Sequence, residues 1–149
     1  MLLAPRGRRH ARQTEAIGIM GLIEKRLIKE AKEAWLPGEQ QEIESIAGTP
    51  VAVDIQWSSF ETDEAALKNL QHCGVRKLVN ALRVICRDDL GKEAVRESIK
   101  RLVVINQQAA GEATVGLEGG TVTLTCNFGK GPDGCLTDLQ IARVLERAL

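Results

Sequence analysis

The chain has 149 residues, 44% hydrophobic and 27% charged, with 20 basic and 20 acidic side chains and a formal net charge of zero. That length suits one domain with a real core, no apolar run approaches the roughly 20 residues that span a bilayer, and zero net charge gives no general pull towards nucleic acid or membrane. Trp35, Trp57, Phe60 and Phe128 are the only aromatic residues, which disfavours the exposed ring platforms on which bases stack.

Residues 1–19 differ in character from the rest. Four arginines (Arg6, Arg8, Arg9, Arg12) against Glu15 give this segment a charge of +3, so residues 20–149 carry −3. An Arg-rich, acid-poor leader suits a transit peptide or a basic arm. The preferred expectation is a disordered or non-native extension, with a single domain over residues 20–149, because a clean amphipathic pattern begins at Met20.

Ile23, Leu27, Ala31, Ala34 and Trp35 recur at helical spacing, so a helix is predicted over Met20–Trp35. Pro37-Gly38 is expected to stop it. A short second helix is read over Glu39–Ala47, closed by Gly48. Val51, Val53, Ile55 and Trp57 alternate with Ala52, Asp54 and Gln56, the period of a half-buried strand. Ser58-x-x-Glu61 and Thr62-Asp63-Glu64 offer two competing helix starts.

The longest helical pattern is Glu64–Arg87. On a wheel at about 100° per residue, Leu67, Leu70, Gly74, Leu78, Ala81, Leu82 and Ile85 share one side. Asn69, Arg76, Asn80, Arg83 and Arg87 form the other, read as a solvated face. Gly74 on the apolar side predicts either close backbone approach or a break between two helices. Gln71 falls on the same side, where a buried amide needs partners.

Asp88-Asp89 is read as the cap of a helix over Leu90–Lys100, with Leu90, Ala94, Val95 and Ile99 inward. Leu102–Ile105, an unbroken apolar run, predicts a central strand buried on both faces. Ala113–Glu118 and Thr121–Phe128 predict a hairpin about Gly119-Gly120. Its inward residues include Val115, Leu117, Val122, Leu124 and Cys126. Its outward ones are Thr114, Gly116, Thr121, Thr123, Thr125 and Asn127. Gly129–Cys135 is a loop without the order of a phosphate-binding loop or a calcium loop. Thr137-x-x-Gln140 caps a last helix that should bury Leu139, Ala142, Leu145 and Leu149.

The predicted fold is α+β: a single domain of order ααβααβββα, with about four strands in a largely antiparallel sheet and helices packed on one face. Cys73, Cys86, Cys126 and Cys135 have no metal or redox spacing, and are expected to be reduced and packed in a cytoplasmic protein. No metal or cofactor is expected. The binding or interface candidates are Asp54, Gln56, Thr114, Thr121, Thr123, Thr125 and Asn127 on the outer sheet face, hydrogen-bonding yet nearly uncharged. They suggest a small non-enzymatic interaction protein, a homodimer through that face or bound to a protein partner. The alternative is a small-molecule-binding or hydrolytic domain with a pocket between sheet and long helix near Gln71, His72, Gly74 and Asp54. No nucleophile–base signature supports it. The arginine row gives nucleic acid only a weak case against the acidic balance of residues 20–149.

Overall fold

The computed structural model describes residues 20–109 and 111–149; the extension read over residues 1–19 lies outside them. The chain opens with α1 (Leu22–Glu30), a wide π turn (Ala31–Trp35) and α2 (Leu36–Ala47). Strand β1 (Ala52–Ile55) and a 3₁₀ turn (Trp57–Ser59) lead to α3 (Glu64–Leu70), a second π turn (Gln71–Val75) and α4 (Arg76–Ile85). Then come α5 (Asp89–Ser98), β2 (Arg101–Asn106), β3 (Thr114–Glu118), β4 (Thr121–Cys126), a 3₁₀ segment (Phe128–Gly134) and α6 (Asp138–Ala148).

The class is α+β, but the order is ααβαααβββα, one helical segment more than expected. The long helix divides at Gln71–Val75, where the wider turn changes its phase. Pro37 does not stop the first helix. It occupies the first turn of α2, directly after the π turn. A proline has no N–H to give and clashes with the carbonyl four residues back; a wide turn relieves both at once.

The sheet is mixed rather than largely antiparallel. Its order is β1-β2-β4-β3, with β1–β2 and β2–β4 parallel and only β3–β4 antiparallel. The helices α3 to α5 form the crossover that returns the chain in the same direction beside β1. From β2 the chain steps past one strand position, and the hairpin then folds β4 back into the gap. Gly119 and Gly120, at φ 59° and 82°, supply the left-handed pair that such a two-residue turn requires.

Helices cover one face of the sheet. Leu102, Val104, Val122, Leu124 and Cys126 are fully buried against Leu70, Leu78, Leu82 and Leu145. Strand β2 is central but not buried on both faces, since Val103 and Ile105 remain half exposed. Two expected core residues face solvent instead, Leu90 at 77% and Leu139 at 58% exposure. In α6 the buried stripe is Ile141, Ala142 and Leu145, with Leu149 partly buried at its end.

Phe60 and Phe128 lie wholly inside, ring centroids 5.6 Å apart. A Cβ on Gly74 would come within 2.9 Å of the Phe128 ring. Both expectations for this glycine hold: it lies in the π turn that divides the helix, and it gives the Phe128 ring room for close approach.

Candidate functional site

The uncovered sheet face is built by strand alternation alone. Register places Ala52, Arg101, Thr121 and Glu118 in one row across the strands. Asp54, Val103, Thr123 and Gly116 make a second row, and Ile105, Thr125 and Thr114 a third. All of these are exposed or half exposed, while their neighbours along each strand point into the core. Thr114, Thr121, Thr123, Thr125 and Asp54 thus share one surface. The absent side chain at Gly116 leaves an open depression of about 550 Å³ bordered by Leu117, Glu118, Thr121 and Thr123.

Two of the predicted face residues are placed differently. Gln56 is exposed one residue beyond β1, its N–H donating to the Val104 carbonyl at 2.9 Å. Asn127 lies beyond β4, where the alternation ends, and is buried within the following loop; its N–H donates to the Gly134 carbonyl at 3.0 Å. The face also carries four residues that the sequence did not assign to it. Val103 and Ile105 give it an apolar centre, and Glu118 and Arg101 give it charge, Arg101 pairing with Asp54. Both members of that pair are about half exposed, so it adds little to stability. The face is mixed in sign, rather than uncharged.

Asp54 is not brought together with Gln71, His72 and Gly74, which share one π turn. Asp54 is on the open side of the sheet, whereas α3 and α4 pack on the other. Gly74 is filled by Phe128, and His72 is exposed to solvent. The Gln71 amide donates to Glu39 Oε2 at 2.9 Å, which satisfies it.

That bond belongs to a charged seam between α2 and α4. Arg76 Nη1 donates to Glu39 Oε1 at 2.6 Å and to Glu42 Oε1 at 2.8 Å, and Arg83 also pairs with Glu42. Arg87 reaches Glu146 of α6 at 3.3 Å. Arg83 and Arg87 are exposed, at 53% and 64%, as a solvated face requires, but three members of the row also pair with carboxylates on neighbouring helices. Glu39 is only 6% exposed. A buried carboxylate needs such partners.

A second polar network closes the far ends of β2 and β4. Asn106, 5% exposed, donates through Nδ2 to the Ser59 carbonyl and to Asp63 Oδ2, each at 3.0 Å. Its Oδ1 accepts from the Phe128 N–H at 3.2 Å. Asp63 also caps α3, accepting from the Ala66 N–H at 3.1 Å. Because Asn106 finds its partners in this network, it serves the fold. The sequence signal was weak, since an asparagine ending a strand is ordinarily read as a turn residue. Among the described residues no helix is long and apolar enough to cross a membrane.

No protein-family model, no curated protein and no solved structure matches the chain.

Proposed function

We propose that this is a small non-enzymatic interaction protein that assembles as a homodimer through its open sheet face. The reading rests on one observation: helices seal one side of the sheet, and the other presents Val103 and Ile105 amid rows of threonine. Half-exposed β-branched side chains at the centre of a two-layer fold are surface that association can still desolvate. Threonine suits such a face because its methyl packs while its hydroxyl finds partners in either copy.

A second copy is the occupant that this face favours. Its few charges are of both signs, so two copies do not repel through it. In an isologous arrangement, with the two-fold axis along the strands, β2 of one copy lies over β4 of the other. Val103 and Ile105 then meet threonines rather than their own equivalents. Light scattering coupled to size exclusion tests this. The chain should elute at twice its monomer mass, and Thr123→Lys should return it to the monomer by placing an unpaired ammonium at the centre of the interface. A wild-type monomer at micromolar concentration would remove the proposal.

A further inference from the structure

Three of the four cysteines meet where β4 ends. Cys126 is the last residue of β4 and has no exposed surface. Cys135 follows the Phe128–Gly134 segment and is partly exposed, and Cys73, in the π turn between α3 and α4, is 7% exposed. All are free thiols.

The loop between Cys126 and Cys135 is closed on itself by its backbone. The Asn127 N–H donates to the Gly134 carbonyl at 3.0 Å, the Lys130 N–H to the Asn127 carbonyl at 3.1 Å, and the Cys135 N–H to the Pro132 carbonyl at 3.2 Å. Cys126 and Cys135 flank the Asn127–Gly134 contact, one on each side. That backbone contact brings Cys126 and Cys135 to neighbouring positions, and the π turn that holds Cys73 packs against the same Phe128–Gly134 segment. The two thiols differ in acidity. Hydrogen bonding from Cys135 holds the Cys126 thiol below its ordinary range against the effect of burial, assisted by the Leu136 N–H. Cys135 is pushed up by the same contact and by burial. Among the described residues no three His, Cys, Asp or Glu side chains are arranged to hold a metal ion.

We propose that Cys126 and Cys135 form an oxidisable dithiol, a modification site at which a small hydroperoxide converts the pair into a disulfide. Cys135 is the more accessible sulfur and so the one the peroxide reaches; it attacks the peroxide as it loses its proton. An S–O bond forms, the O–O bond breaks, and the departing alkoxide or hydroxide takes up the thiol's proton. Cys126 then attacks the Cys135 sulfenic sulfur; the S–S bond forms, the S–O bond breaks, and hydroxide leaves as water with the Cys126 proton. Two thiols lose two electrons, and the peroxide is reduced to an alcohol (or water) and one further water. Because the accessible thiol is the one held protonated, reaction is slow beside that of a dedicated peroxidase. The site is a responder to sustained oxidant, and its product ties the end of β4 to the segment leading into α6.

The test uses the native full-length protein and hydrogen peroxide. After alkylation of remaining thiols, unreduced tryptic peptides are mapped by mass; cleavage after Lys130 separates the two cysteines into different peptides. The expected product is one cross-linked pair joining Cys126 to Cys135, reversed by dithiothreitol, with the melting temperature raised by roughly 5 °C through loop closure. Linkage of Cys73 to Cys135, overoxidation of Cys135 without a cross-link, or thiols inert in the folded protein would each overturn the proposal. Cys126→Ser should divert the same dose into sulfinic acid at Cys135. A Cys135 that stays reduced in that variant would show that it is not the sulfur attacked first. The wild-type map decides the matter if the variant does not fold.

Discussion

Gly74 and Glu39 show how residues of ordinary appearance acquire their meaning from distant parts of the chain. The helical wheel placed Gly74 on the buried side, and that much is local. Its ring partner, Phe128, comes from beyond β4, so no period in the sequence reports the contact. Gly74→Ala gains up to about 1 kcal/mol of helix propensity, but drives a methyl against a fully buried aromatic ring, which costs about 1–3 kcal/mol. The net expectation is destabilisation, read as a lower urea midpoint; a raised midpoint would mean that the ring can yield. Glu39 reads in the sequence as the first residue of a short helix. Only the docking of α2 against α4 reveals it as a buried carboxylate held by Arg76 and Gln71. Arg76 is 34% exposed, which screens the pair. Glu39→Gln should therefore cost about 1–2 kcal/mol in chemical denaturation, rather than the roughly 3–5 kcal/mol of a fully buried pair. A neutral result would mean that packing alone positions α2.

At the scale of elements, features with local causes were legible and those with distant causes were not. Caps are local. Asp63, Asp88 and Thr137 each accept a backbone N–H at the helix starts where their chemistry indicated them, and Asp63 prevails over the rival start at Ser58. Thr137→Ala removes a cap alone and should cost about 1 kcal/mol. Asp63→Ala also strips Asn106 of a partner at the end of β2, and should cost roughly twice as much. Equal losses in parallel unfolding experiments would mean that the Asn106 contact adds nothing. The π turn at Ala31–Trp35 escaped a reading in which proline ends a helix, because a widened turn has no signature of its own. The hairpin was legible from Gly119-Gly120, whereas the insertion of β4 between β2 and β3 was not. Alternation specifies which side of a strand is buried, but not which strand lies beside it.

The whole molecule is a two-layer arrangement with helices on one side of a four-stranded sheet. The α+β class followed from the helical and strand periods together, and the Thr-rich outer face from strand period alone. The apolar centre of that face did not, since an unbroken Leu-Val-Val-Ile run looks the same whether one or both sides are covered. Val103 and Ile105 sharpen the case for association, because threonine by itself is ordinary strand chemistry. The most direct measurement is the solution mass by light scattering across micromolar concentrations, for the wild type and for Thr123→Lys. A wild-type dimer and a folded, monomeric variant are the expected results. A wild-type monomer throughout, or a variant that remains dimeric, would contradict assembly through the open face.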